Sequence, residues 1–265
     1  MILNFQLLLQ RIPLYFKHFI FAANEHALQS PFAYHFYQNV VKGNSLPANV
    51  DCIEQQRALL QNCLHKVEVK NFGAPSTVTL KNMEPLSKIA RRGISCQWQS
   101  ALIWRLANWM GATNMLELGT SLGINTMYMA ANEAEGANVI TIEGNEALLE
   151  VAHDAWKACN IDNIHALNGK ISEVLPAINT DNLDLVYIDA DHRSVALWEN
   201  YLRCLPLMNK EAVMVVDDIR WSADMYQGWL GLCAREEVRL SLDLKHFGIL
   251  FFDRNMAKKH HILSV

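Results

Sequence analysis

Two patterns of hydrophobic and polar residues divide the chain near residue 95. Before that point, apolar residues recur at helical spacing, as Phe32, Phe36 and Val40 do after the helix-start signal Ser30-Pro31. After it, short apolar runs alternate with helix-length segments, and the runs span 114–118, 138–142, 163–167, 183–189, 211–217, 236–242 and 247–253. Several runs are apolar almost throughout, which is typical of strands covered on both faces. The alternation predicts an α/β fold with a parallel sheet and helices on both sides.

The last two runs are separated only by a short turn-like stretch around Lys245 and His246. Such a short connection permits an antiparallel pair of strands but not the crossover that parallel strands require. We therefore predict a seven-stranded sheet in residues 86–265, in which five alternating strand–helix units precede an antiparallel hairpin. Residues 1–85 are predicted to form an amino-terminal helical subdomain and its connector.

The amino-terminal part is predicted to be helical over residues 1–70, with one helix at 51–68, and to end in a turn-rich connector at 71–85. Residues 1–23 are rich in Leu, Ile and Phe but are interrupted by Arg11, Pro13 and Lys17. No uncharged run approaches the ~20 residues that a membrane span needs. We expect these helices to pack on the domain or on a second subunit, which would give a homodimer. A helix lying on a membrane surface is the alternative.

Composition and charge limit the classes of protein to which the chain could belong. Hydrophobic residues make up 51% of the chain and charged residues 19%, so we expect a packed globular core. The formal net charge of −4 gives no indication of a broad basic surface for nucleic acid. Six cysteines are scattered without a C-x-x-C pair, which favours reduced, mostly buried thiols in a cytoplasmic protein and disfavours a zinc site.

Acidic residues stand at the ends of several predicted strands. Ligands of open parallel sheets bind beyond the carboxyl ends of the strands. Clustered acids at that edge indicate a site, because they repel each other unless something cationic lies among them. Gly119 would let the chain turn tightly after the first strand, and Glu143 follows at the distance suited to a ribose hydroxyl. The other acids in such positions are Glu117, Asp189, Asp217 and Asp218.

Residues 116–123 read LELGTSLG, which lacks the glycine spacing of a dinucleotide site. The segment resembles the first motif of class I S-adenosylmethionine (SAM) methyltransferases, in the E-x-G-T-x-x-G variant of small O-methyltransferases. From about residue 94 onwards the chain resembles the catechol/caffeoyl-CoA type. Residues 188–192 (IDADH) resemble its I-D-A-D-K segment, and residues 216–221 (VDDIRW) resemble its V-D-N-x-x-W segment. The whole chain, with its different amino terminus, is similar to a group of bacterial class I methyltransferases of Bacteroidetes type.

This resemblance implies a Rossmann-like class I methyltransferase sheet and SAM as cofactor. Gly119, Thr120 and Ser121 would line the methionine end. Glu117 would hold the amino group or orient the loop, and Glu143 would accept both ribose hydroxyls. Near the adenine we expect Gly169 and Ile171, which follow the third strand. The full predicted set of cofactor-binding residues is Glu117, Gly119, Thr120, Ser121, Gly123, Glu143, Gly144, Gly169, Ile171 and Asp189.

The resemblance also implies a divalent ion, with Asp189, Asp217 and Asp218 as ligands, and oxygen ligands at an open site suit Mg²⁺. Asp218 replaces an asparagine of the family. His192 replaces the lysine that deprotonates the acceptor, so His192, with Asp189, is predicted to be catalytic. The alternatives are that Asp217 and Asp218 cap the helix that follows, and that His192 caps the next helix or faces solvent.

The sequence therefore predicts a SAM-dependent methyltransferase that methylates a small-molecule hydroxyl with divalent-metal assistance. One alternative keeps SAM but needs no metal and methylates a nitrogen, a carbon or a protein side chain. Another is a non-catalytic module that binds SAM and a partner. The glycine spacing disfavours a dinucleotide-dependent oxidoreductase.

Overall fold

The computed structural model describes residues 2–24, 26, 28, 30–69, 82–180 and 182–265. Its helices are α1 (Ile2–Phe21), α2 (Pro31–Phe36), α3 (Val50–Asn62), α4 (Leu86–Gly93), α5 (Gln97–Met110), α6 (Ile124–Ala130), α7 (Glu146–Ala158), α8 (Ile171–Val174), α9 (Ser194–Cys204) and α10 (Ala223–Ala234). Its strands are β1 (Lys66–Val69), β2 (Asn82–Pro85), β3 (Asn114–Leu118), β4 (Asn138–Glu143), β5 (Ile164–Asn168), β6 (Leu183–Ile188), β7 (Met208–Val216), β8 (Leu240–Leu244), β9 (Phe247–Phe251) and β10 (Lys259–Ile262).

Two compact units make up the chain. The first consists of Met1–Lys42 and Thr180–Val265, and the second of Gly43–Asn179. Each of the seven predicted runs overlaps a strand, from β3 to β9, so the predicted α/β class is confirmed. The domain boundary predicted between residues 85 and 86 stays a prediction.

The second unit is built around three parallel strands in the order β3-β4-β5. Helices α6 and α7 form the connections between them, and every residue of α5 from Ser100 to Ala107 is buried. In the register of the strands, Leu118 pairs with Ile142, and Glu143 pairs with Asn168. The carboxyl ends of β3, β4 and β5 therefore lie side by side at one edge.

Two predictions for the second unit were wrong. The helix predicted over residues 51–68 ends at Asn62, and residues 66–69 form β1, which pairs antiparallel with β2. Most of the connector predicted at 71–85, namely residues 71–81, lies outside the described residues. Cys52 at the start of α3 and Cys159 after α7 form a disulfide with a Cα–Cα distance of 5.8 Å, so these two cysteines are not reduced thiols.

The first unit contains the strands in the order β10-β8-β9-β7-β6. β6 and β7 are parallel, and β8 and β9 form the predicted antiparallel hairpin. The short strand β10, which was not predicted, runs parallel to β8. Within this unit α1 is held by a buried ion pair, because Arg220 donates to Leu14 O at 3.2 Å and to both carboxylate oxygens of Asp243, at 2.5 and 2.7 Å.

Helix α1 also presents an apolar stripe to solvent. Ile12, Phe16, Phe19 and Ile20 are all more than half exposed, and their spacing places them on one face of the helix. Among the described helices, α1 included, none has both the length and the apolar character that crossing a membrane demands. The homodimer contact predicted for this part of the chain stays a prediction.

Candidate functional site

A sharp bend follows β3 in the second unit. The N–H of Gly119 still donates to Ile142 O, at 3.0 Å, and the chain then turns away from the sheet. Positive φ angles recur through the bend, at 102° for Gly119, 50° for Ser121 and 75° for Gly123. A serine in this region is strained, and such strain concentrates at binding sites. The predicted glycine turn is therefore present at the carboxyl edge of the sheet, where Gly119 and Ser121 are half-buried.

The carboxylate of Glu143 faces this bend. Its Oε2 accepts from the Ser121 N–H at 2.8 Å, and its Oε1 accepts from the Asn145 N–H at 2.8 Å. Burial raises the pKa of Glu143, while the N–H groups of Asn145, Ser121 and Gly144 act against that rise. Each carboxylate oxygen has a second lone pair, so the fixed carboxylate can still accept two ligand hydroxyls. The structure thus brings Glu143 and the bend side by side, as the sequence predicts.

Glu117 lies beneath the bend and is fully buried. Its Oε2 accepts from the hydroxyls of Thr126, at 2.5 Å, and Thr141, at 2.6 Å. The Thr141 hydroxyl lies 2.6 Å from that of Thr120, so Glu117 orients the bend through this pair. No partner for Oε1 is found among the described residues. Burial raises the pKa of Glu117 to about 7.

Three other predicted residues surround the bend and the neighbouring strand end. A Cβ on Gly123 would come 2.5 Å from Nε1 of Trp156, and that Nε1–H donates to Gly123 O at 3.1 Å. Packing against α7 therefore accounts for Gly123. Gly169 follows β5 and donates its N–H to Glu143 O at 3.0 Å, and half-buried Ile171 begins α8. Gly169 and Ile171 therefore lie at the end of the strand next to Glu143.

A polar network beside the bend was missed by the sequence analysis. Its centre is Arg57 of α3, which contacts Glu54, Ser95 and Ser100. Arg57 lies about 40 residues before those serines in the chain, and it falls in a helix that shows no chemical motif. Only the packing of α3 reveals it.

In the first unit, His192 lies between two acids. Its Nε2 is 4.0 Å from Asp189 Oδ1 and 4.0 Å from Asp218 Oδ2. Burial lowers the pKa of His192, and the nearby charge of Asp218 partly opposes this. The ring centroid of Trp221 is 5.0 Å from that of His192, and the Arg11 guanidinium lies 5.0 Å from the Trp221 ring. His192 is thus a mostly buried, neutral imidazole with two acids around it.

Neither of the helix-capping alternatives is correct. Helix α9 has Arg193 at its N-cap, and the side chain of His192 is only 23% exposed, so His192 neither caps this helix nor faces solvent. Helix α10 begins after Ser222, whose hydroxyl accepts from the Met225 N–H at 3.0 Å. Asp217 and Asp218 therefore do not cap it.

The predicted metal ligands do not form a metal site among the described residues. Asp217 is 5% exposed, and its Oδ2 accepts from the Tyr187 hydroxyl at 2.5 Å while its Oδ1 accepts from the Asp218 N–H at 2.6 Å. Within the part of the chain that the structure describes, no group of three His, Cys, Asp or Glu side chains could hold a metal ion. As these side chains stand, Asp189, Asp217 and Asp218 do not fit a divalent ion.

Parts of the chain are similar in sequence to known proteins. A family described as "Methyltransferase domain" matches residues 116–219. The O-methyltransferase hkm8 of Aspergillus hancockii is 32% identical over 120 residues, covering 43% of this chain and 47% of that protein. The catechol O-methyltransferase of Mycobacterium tuberculosis is 28% identical over 134 residues, covering 50% of this chain and 60% of that protein. The matches therefore span less than two thirds of these curated relatives.

A solved structure of similar fold is the O-methyltransferase from Bacillus cereus in complex with SAH, with a TM-score of 0.55 and 17% identity. The match covers 82% of this chain and 94% of that chain, and at this identity the likeness establishes the fold alone. Residues 116–219 therefore match a methyltransferase domain, and the curated proteins that this part of the chain is similar to are O-methyltransferases.

Proposed function

We propose that the protein is a SAM-dependent methyltransferase that methylates a hydroxyl of a small molecule. The observation that carries the proposal is the Glu143 carboxylate, fixed against the bend by the Ser121 N–H at 2.8 Å. A carboxylate held in this way is a two-oxygen acceptor for a vicinal diol such as that of ribose. A second feature that suits a ligand carrying N–H donors is the buried Oε1 of Glu117, for which no described residue supplies a hydrogen bond.

SAM would supply an electrophilic methyl group on a sulfonium, and the protein would bind it and deprotonate the acceptor. His192 is the proposed base, because burial keeps its imidazole neutral and ready to take a proton on Nε2. Asp189 and Asp218 would then stabilise the imidazolium across 4.0 Å. In balance, the acceptor oxygen gains the methyl group, the sulfonium becomes a thioether, and the acceptor proton moves to His192.

Cofactor binding is tested by calorimetry with S-adenosylhomocysteine (SAH) on the wild type, on Glu143→Gln and on Glu146→Gln. The last is a matched control, because Glu146 is exposed in the first turn of α7. Glu143→Gln removes the charge that would hold the ribose hydroxyls, so we expect an affinity loss of about 10- to 100-fold. Equal binding by Glu143→Gln and the wild type would contradict the proposal.

Turnover is tested with labelled SAM and a panel of phenolic, amine and protein acceptors. We expect label on a phenolic hydroxyl. Binding of SAH without label on any acceptor class would favour the non-catalytic module. The Mg²⁺ requirement implied by the family resemblance is decided in the same assay, since EDTA abolishes turnover if the ion is needed. Because the three aspartates do not fit an ion as they stand, no step above uses one.

A further inference from the structure

A buried arginine lies at the centre of the polar network in the second unit. Arg57 is 6% exposed, and its Nε donates to both oxygens of Glu54, at 2.9 and 3.1 Å. Its Nη1 donates to Ser95 O, and its Nη2 donates to the Ser100 hydroxyl at 3.1 Å. Glu54 also accepts from the Tyr128 hydroxyl at 2.8 Å. Every nitrogen of this guanidinium therefore has a partner, as a buried charge requires.

The network continues from Arg57 to the helix that follows the bend. The Ser100 hydroxyl donates to Asn125 Oδ1 at 2.6 Å, and Asn125 Nδ2 donates to the Ser95 hydroxyl at 3.1 Å. Asn125 is in the first turn of α6. These bonds tie the residues from the last of α4 to the last before α5, here called the 93–96 loop, to the helix that follows the bend. A Cβ built on Gly93 would lie 3.9 Å from the Ser121 hydroxyl, so this loop borders the bend directly.

The position of the loop relative to Glu143 indicates which part of a cofactor it would meet. The strands lie in the order β5, β4, β3, and Glu143 ends the middle one. If the ribose is held at Glu143, the adenine and the methionine extend in opposite directions from it. If the adenine then lies towards Gly169, which follows β5, the methionine would pass over the bend towards the 93–96 loop.

We propose that Arg57 is a positioning residue for the amino-acid end of SAM. It fixes the Ser95 carbonyl and, through Ser100, the amide of Asn125, and these groups form the wall against which that end of the cofactor lies. This inference rests on the proposed function. A helix of the amino-terminal part, outside the family motifs, thereby sets the affinity of the enzyme for one half of its cofactor.

The test compares two ligands that differ only at that end. SAH carries the amino-acid group, and 5′-methylthioadenosine keeps the adenosine and the thioether but lacks it. Dissociation constants are measured for the wild type, Arg57→Met, Arg57→Lys and the control Arg92→Met, since Arg92 is exposed on α4 and pairs with Glu84. Near-ultraviolet circular dichroism checks that each variant is folded.

We expect Arg57→Met to weaken SAH binding by about tenfold or more, from the loss of charge-assisted hydrogen bonds, and to change methylthioadenosine binding by less than about twofold. Arg57→Lys should recover part of the loss, and Arg92→Met should bind both ligands like the wild type. If Arg57→Met is not folded, Ser100→Ala replaces it, because this variant cuts the link to Asn125 and should show the same ligand dependence to a smaller degree.

An equal loss for both ligands, or no loss for either, overturns the positioning role and leaves Arg57 a structural residue. Those outcomes leave the proposed function intact, because the wild type still binds SAH. A wild type that binds neither ligand overturns the proposed function and this inference together.

Discussion

The two carboxyl oxygens of Glu117 differ in their hydrogen bonding, and the burial of this carboxyl makes the stability of the protein depend on pH. Oε2 accepts two threonine hydroxyls, while Oε1 is buried with no partner among the described residues. Burial raises the pKa of this carboxyl to about 7, against 4.5 for an exposed glutamate. The native state therefore keeps a proton that the unfolded chain releases near pH 4.5. As pH rises from 4.5 to 7, the free energy of unfolding falls, by roughly 3 kcal/mol in total for this group.

We therefore expect Glu117→Gln, which cannot ionise, to lose this contribution to the pH dependence. Urea unfolding between pH 5 and 8 measures it, with Glu150→Gln on the exposed face of α7 as the control. The wild type and the control should lose stability relative to Glu117→Gln as pH rises towards 7. Parallel curves for Glu117→Gln and the wild type would show that Glu117 is ionised in the native state.

At the level of single residues, the sequence predicted where a side chain lies in the fold better than it predicted the hydrogen-bond partners of that side chain. Glu143 could be predicted because an acid that ends an apolar strand has few structural reasons to be there. The hydrogen bond between Tyr187 and Asp217 could not be predicted, because it depends on the register of β6 against β7. That register pairs Tyr187 with Val215 and brings the Tyr187 hydroxyl to Asp217. Arg57 lies in a helix without a motif, and its partners come from elsewhere in the chain.

Among the elements, α6 and α7 are fitted together at one glycine. Gly123 has φ +75° at the N-cap of α6, and a Cβ there would meet Nε1 of Trp156 at 2.5 Å and the Cβ of Ala152 at 2.7 Å. Gly136 has the same φ of +75°, but nothing lies within 4 Å of its Cβ position. Substituting each glycine in turn therefore distinguishes the cost of backbone strain from the cost of steric overlap.

We expect Gly136→Ala to cost about 1 to 2 kcal/mol, since both variants force a left-handed conformation on alanine. Gly123→Ala should cost a further 1 to 3 kcal/mol or so, because it also overpacks the contact with α7. Urea unfolding of both variants measures the difference. Equal losses would mean that Trp156 moves aside freely and that packing does not explain the glycine at 123.

The alternation of strands and helices was enough to predict β3 to β9, because buried parallel strands carry continuous apolar runs. Three features could not be predicted in this way. Strands β1 and β10 are short and half polar, as in the KVEV sequence of β1. The disulfide joins Cys52 to Cys159 across 107 residues, and scattered spacing gives no sign of such a pair. Each of the three depends on contacts between distant segments.

At the scale of the whole molecule, histidines contribute to the response to acid. Burial lowers the pKa values of five of the described histidines, which are His18, His192, His246, His260 and His261. In the unfolded chain these side chains protonate near pH 6.5, and in the native state they resist protonation. Their contribution to stability is therefore complete above about pH 6.5 and is lost progressively as pH falls below it.

Glu117 acts in the opposite direction over part of this range, since its native state gains stability as pH falls from 7. One proton of difference between the native and the unfolded state changes the free energy of unfolding by about 1.4 kcal/mol per pH unit, so the carboxyl opposes the histidines over this range. Between pH 6.5 and 5 we expect Glu117→Gln to lose stability relative to the wild type, because it lacks the opposing carboxyl. His18→Gln should gain stability relative to the wild type as pH falls, whereas His35→Gln, at an exposed position of α2, should not. Urea unfolding across this range checks all four proteins, and parallel curves for His18→Gln and the wild type would show that His18 does not contribute to the response to acid.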